Sequence, residues 1–212
     1  MSFIREDSHY RVYYDEFNIL LGTGVRVSEL VGLTKSDVDF TMRRIRVDHQ
    51  LEKKRHGEYF VDKTKTKNGV RFIPMSDSVY ESLKNVIRNR NNPKIERVID
   101  GYSGFLFLDK NGNPEVAMHV AHHMQWARNK YARTHERQLP LITPHVFRHT
   151  FCTNMANAGM DIKSLQYLMG HADVDVTLNV YTHASYDKAE ESMRKVLQFD
   201  TGQSANRMRR SG

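Results

Sequence analysis

The chain is nearly devoid of cysteine: Cys152 is the one such residue among 212. A single thiol excludes an internal disulfide and fits a reducing cytosol. Long apolar runs are missing as well. No stretch approaches the roughly 20 residues that cross a bilayer. The opening "MSFIREDSHY" is too polar to read as a signal peptide. There is no internal repeat and no interdomain linker, so a single domain is expected. Metal-binding motifs are sparse too. "HVAHH" sets His119 and His123 four residues apart on a helix, but the sequence has no HExxH and no third ligand stands nearby. No metal centre is therefore expected.

What is abundant is basic charge. Lys and Arg number 32 against 25 Asp and Glu, a net charge of +7, and the pI is about 9.5. A pI above about 9 is the usual electrostatic footprint of a nucleic-acid partner. At 39% hydrophobic residues the chain can still build a core.

Hydrophobic spacing predicts the elements. Residues 10–21 carry Tyr10, Tyr13, Tyr14, Phe17, Leu20 and Leu21 on one helical stripe, which "GTG" at 22–24 stops. A short helix, "VRVSELVGL", follows, and then a cap-like turn, "TKSD" at 34–37. From 44 to 74 the period becomes two. "EYFVD" and "VRFIPM" flank "KTKTKNG", which predicts a hairpin with Asn68-Gly69 at its tip. Ser76 or Asp77 caps the next helix, "GFLFLD" at 104–109 reads as a strand, and a helix is expected over about 115–133. Thr143-Pro144 is an N-cap and N1 pair opening a helix that Gly159 ends. Asp161 caps "IKSLQYLM", which Gly170 ends; a short helix over about 174–182 and an amphipathic one over about 185–199 complete the plan. The fold class is α+β, a mostly helical single domain with a small antiparallel three-stranded sheet in its N-terminal third.

Several polar residues fit this plan poorly as packing. Arg26 follows a Gly-Thr-Gly break at a helix start. Lys65 and Lys67 lie near the expected hairpin tip. His145 and Arg148 share one face in the first turns of a helix. His171 directly follows a helix-ending glycine, and Tyr181 comes ten residues later. Neighbouring cations such as His145 and Arg148 repel unless an anion joins them.

In order, these residues resemble the signature of the tyrosine recombinase, or phage integrase, family. The first box is "LLGTGVRVSELVGLTKSDVDF" at 20–40, and the second is "TPHVFRHTFCTNMANAGMDIKSLQYLMGHADVDVTLNVYTH" at 143–183. "KTKTKNGVRFIPM" at 63–75 is similar to the family's lysine hairpin. With "GYSGFLF" at 101–107, it points toward the conjugative-transposon integrases. The resemblance implies that Tyr181 attacks a DNA phosphodiester to give a 3′-phosphotyrosine and a free 5′-hydroxyl, without ATP, metal or other cofactor. Arg26 and Arg148 would hold the non-bridging oxygens with forked hydrogen bonds. His145 is the candidate base, His171 a donor to a phosphate oxygen, and Lys65 the acid for the leaving oxygen, with Lys67 as its alternative.

The resemblance also implies double-stranded DNA as partner, with Lys53, Lys54, Arg55, Lys63, Lys67, Arg128, Lys130 and Arg133 as backbone contacts. It implies a synaptic tetramer and an accessory excisionase or DNA-bending protein. On this reading residues 1–199 are a catalytic domain and 200–212 a basic, disordered tail. The family's core-binding and arm-binding domains would lie outside the chain, which is then a fragment of a larger integrase. The helix at 185–199 packs either on a neighbouring protomer or on its own domain. A type IB topoisomerase shares the chemistry and is the alternative reading.

Overall fold

One helix, α2 (Tyr14–Thr23), organises the core, with Phe17, Ile19 and Leu20 at most 2% exposed. In the computed structural model the described residues are 1–63, 70–136 and 138–171, with Val174, Thr177, Leu178, Met193 and Arg194. Lys65, Lys67, the Asn68-Gly69 pair, Tyr181 and the tail at 200–212 lie outside them. So does most of the segment at 185–199.

α2 is preceded by α1 (Ser2–Glu6) and a 3-10 turn at Tyr10–Tyr13. It ends where Gly24 enters the left-handed region at φ 66°, a conformation that favours a residue without Cβ. α3 (Val27–Gly32) starts at once. Its first turn is closed by the Glu29 carboxylate, which accepts from the Arg26 backbone N–H at 2.7 Å. The turn at 34–37 is a 3-10 helix with a capping box between Thr34 and Asp37. α2 packs against α4 (Asp77–Asn89) and against α6 (Pro144–Asn157). Ser76, rather than Asp77, caps α4. Fully burying side chains such as Leu20, Leu30 or Ile45 stabilises the fold by roughly 1.5–3 kcal/mol each.

The period-two reading of 44–74 is seen as alternating burial at 44–51 and 71–74, but the pairing differs from expectation. β1 (Val38–Asp39), β2 (Arg44–Val47) and β5 (Arg71–Pro74) form the three-stranded antiparallel sheet, in the order β1-β2-β5. β3 (His49–Lys53) and β4 (Tyr59–Lys63) form a separate two-stranded sheet. "EYFVD" therefore pairs backward with β3, and "VRFIP" with β2. The observed tight turn is Lys54–Glu58, where Lys54 N donates to the Glu58 carbonyl at 2.9 Å and Gly57 takes φ 94°. Alternation reports which face is buried but not which strand lies alongside, and two strands of the same phase can exchange partners.

"GFLFLD" is not a regular strand. It runs beside residues 33–35, with Leu106 N donating to the Leu33 carbonyl at 2.8 Å, and makes only isolated bridges, Thr34 with Phe105 and Leu108 with Pro114. α5 (Ala117–Thr134) follows. Thr143 caps α6 with Pro144 in its first turn, and Asp161 caps α7 (Ile162–Met169), which Gly170 ends at φ 60°. Phe151, Cys152, Leu165 and Met169 form a small second core between α6 and α7.

Gly24 has a second constraint: a Cβ there would lie 2.3 Å from the Phe151 ring. Gly24→Ala combines left-handed strain with overpacking and should destabilise the domain by about 2 kcal/mol or more. Chemical denaturation measures this, and an unchanged midpoint would contradict the close approach of α2 and α6.

Candidate active site

The C-terminal end of α7 presents three consecutive carbonyls, and each accepts from a different arginine. Arg71 Nε donates to Leu168 O at 2.8 Å, and Arg26 Nη2 donates to Gly170 O at 3.2 Å. Between them, Arg148 Nη2 donates to Met169 O. A helix C-terminus carries partial negative charge from its unpaired carbonyls, so it attracts cations. Here it gathers guanidinium groups from β5, α6 and the start of α3.

The second organiser is Glu29, only 3% exposed. Arg71 holds it in a two-pronged pair, Nη1 to Oε1 at 3.0 Å and Nη2 to Oε2 at 2.7 Å, while Arg26 Nη1 donates to Oε1 at 3.0 Å. Burial works against the carboxylate, but Arg71 and then Arg26 outweigh it and hold Glu29 below the usual range. Arg148 also donates to the Gly24 carbonyl at 2.6 Å. Among the described residues, the cluster's hydrogen bonds reach three arginines and one carboxylate, a net charge of about +2. Burial, with repulsion from Arg26 second, lowers the Arg148 pKa to about 10, so it stays charged at neutral pH. Such a site favours an anion.

His171 sits immediately after the gripped carbonyls. Burial first, and then Arg148, Arg26 and Arg71, lower its pKa to about 4. It is therefore neutral near pH 7. Its Nδ1 lies 3.0 Å from Thr177 Oγ1. With the hydroxyl donating, the ring proton is on Nε2, which leaves a neutral donor. His145 is exposed in the first turn of α6, one turn before Arg148. Arg26, Arg148 and His171 are thus brought together, with His145 on the helix that carries Arg148.

The proposed DNA contacts are mixed. Lys53, Lys54, Arg55 and Lys63 are exposed along β3, β4 and their turn, although Lys54 pairs with Glu58 at 2.8 Å. Arg133 is exposed near the end of α5. Lys130 pairs with Asp7 at 2.7 Å, and Arg128 Nε donates to Pro140 O at 2.9 Å, so both have a role within the fold. Sequence reasoning missed Arg71 and Glu29. The available signal was register: Arg71 occupies a core-facing position of β5, two residues before buried Ile73.

The phage integrase family model matches residues 1–188. The chain is 47% identical over 197 residues to the transposase from transposon Tn916 of Enterococcus faecalis, covering 92% of this chain and 48% of that one. It is 30% identical over 167 residues to tyrosine recombinase XerC of Bacillus subtilis, covering 79% of this chain and 47% of that one. The chain spans about half the length of these curated relatives. Among solved structures, the Tn1549 transposon integrase in complex with circular intermediate DNA superposes at a TM-score of 0.85. It is 48% identical, covering 92% of this chain and 63% of that one. The expected likeness to transposon integrases is therefore found.

The charge cluster makes a measurable prediction. His171 should remain neutral until the pH falls to about 4, followed by its imidazole shifts in an NMR titration. The unfolded chain, with an ordinary histidine pKa of about 6.5, takes up a proton in that window that the folded chain refuses. His171 therefore removes stability as pH falls from about 6.5 toward 4. A titration midpoint near 6.5 would contradict the arginine environment.

Proposed function

The chain belongs to the phage integrase family, and on that premise we propose that it is the catalytic portion of a site-specific DNA recombinase that integrates or excises a mobile element. The observation that carries this reading is the convergence of Arg26, Arg148 and His171 beside the end of α7, a net-cationic site with a neutral histidine donor. A phosphodiester undergoing displacement gathers negative charge on its non-bridging oxygens. A guanidinium has five N–H donors, and the bonds described above occupy two on Arg26 and two on Arg148. The pair is suited to two phosphate oxygens by forked, charge-assisted bonding.

Tyr181 is the nucleophile. Its Oη–P bond forms as the P–O5′ bond breaks, giving a 3′-phosphotyrosine and a free 5′-hydroxyl. A tyrosine of pKa about 10 is ionised to roughly one part in a thousand near pH 7, so a base is needed. His145 takes that proton, and Lys65, or Lys67 in its place, returns one to the leaving oxygen. Attack by the 5′-hydroxyl of another strand reverses the step and completes the exchange. Double-stranded DNA is the substrate, held through exposed basic residues that include Lys53, Arg55 and Lys63. The working assembly is a synaptic tetramer, with an accessory bending or excision protein, in the bacterial cytoplasm.

Tyr181→Phe should abolish covalent protein–DNA adducts on a nicked suicide duplex while leaving DNA binding intact. Adducts that survive the substitution would refute the nucleophile. Arg26→Lys and Arg148→Lys keep the charge but lose the fork. They should slow cleavage by about 10²–10³-fold with little change in binding. A duplex with two marked sites separates recombinant joints from relaxation alone, the outcome expected of a type IB topoisomerase.

A further inference from the structure

Outside the arginine cluster, three polar side chains face one another, each with one buried atom that lacks a hydrogen-bond partner. Glu16 Oε1, Glu115 Oε2 and His123 Nδ1 are each buried and unpaired. The side chains of Glu16 and His123 are 6% and 10% exposed, and Glu115 stands at the rim with 15%. They come from α2, from the residue two before α5, and from α5 itself. Unpaired buried polar atoms are rare in folded proteins because each loses its water without compensation. Three that meet at one point call for an occupant.

We propose that Glu16, Glu115 and His123 bind one divalent transition-metal ion that ties α2 to α5. His123 Nδ1 lies 3.5 Å from a Glu16 carboxylate oxygen and 3.9 Å from one of Glu115. One ligand atom from each residue lies within 4.8 Å of the other two. A tetrahedral ion bound at about 2.0–2.2 Å holds its donors roughly 3.4 Å apart, so small side-chain movements close the set. Two carboxylates and an imidazole suit zinc, manganese or ferrous iron better than calcium or magnesium. Three protein ligands leave a fourth position for water. The Tyr13 ring stacks on His123 at 3.9 Å between centroids and fixes the plane of the imidazole.

Electrostatics favours the same occupant. Burial pushes both glutamates above the usual carboxylate range, and Glu16 adds to the difficulty of ionising Glu115. A divalent ion would neutralise both. The contrast with Asp37, Asp48 and His49, which also bring ligand atoms together, is informative. There Asp37 accepts from Thr34 and Arg46, and His49 bonds the Gly32 carbonyl and Asp48, so the group is already satisfied. The expectation of no metal centre rested on the lack of a third ligand near His119 and His123. The fold supplies ligands from far along the chain instead. α2 also ends at Gly24, whose carbonyl holds Arg148, so the ion would brace the element beneath the arginine cluster without touching it.

The test uses the 212-residue chain, stripped with chelator and titrated with zinc chloride. Bound metal is read by elemental analysis after dialysis, and stability by thermal melting. One retained equivalent and a saturable rise in melting temperature are expected, both lost in Glu16→Gln and in Glu115→Gln. If Glu16→Gln does not fold, Glu115→Gln at the rim decides alone. Absence of a retained equivalent overturns the proposal. So does an equivalent that persists in the folded variants, which would assign the zinc to other histidines.

Discussion

Three arginines on three successive carbonyls, with one buried glutamate between two of them, are the constraint on which the rest of the site depends. The end of α7 is where the helix field is most negative, and it is the point at which β5, α6 and the start of α3 meet. Glu29 offsets part of the positive charge and sets the geometry of Arg26 and Arg71. What remains is surplus positive charge next to a histidine kept neutral by burial and by the same arginines. The fold thus supplies preorganised donors before any anion arrives, which is what electrostatic stabilisation of a charged transition state requires.

Much of this was legible from spacing. Helix caps and stops were readable because they obey local rules: Gly24, Thr143-Pro144, Asp161 and Gly170 all act within one turn of the backbone. Arg26, His145 and His171 were singled out because each sits at a helix end, where a charged group is conspicuous, and Arg148 because it shares a helix face with His145. The rest depended on partners distant in sequence. Arg71 looked like an ordinary residue of a basic hairpin, and only its pairing opposite Val47 turns it inward. The exchange of strand partners was hidden for the same reason. Glu16 and His123 are separated by most of the N-terminal half, and nothing in either neighbourhood predicts that they meet.

Two kinds of buried charge coexist in this domain. Around Glu29 every carboxylate oxygen has a donor, and the pair with Arg71 is part of the core. Removing one partner of such a pair is more damaging than the pair is stabilising, because the other charge is left unpaired out of water. Substitution of Glu29 or Arg71 would therefore impair folding and disturb the arginine cluster together. The Glu16 cluster is the reverse case, with one buried atom on each of its three side chains left without a hydrogen bond.

The nesting of the β3–β4 hairpin between β2 and β5 bears on how the chain assembles. Pairing β2 with β5 closes a loop of about 23 residues when the intervening chain is open, and about 8 once β3 and β4 are joined. Closure entropy scales with the logarithm of loop length, so the local hairpin lowers the cost of the longer-range pairing by about 1 kcal/mol. Arg71 is the first residue of the strand that this closure delivers. A short local hairpin that carries none of the three clustered arginines thereby eases the entropic path by which Arg71 reaches Glu29.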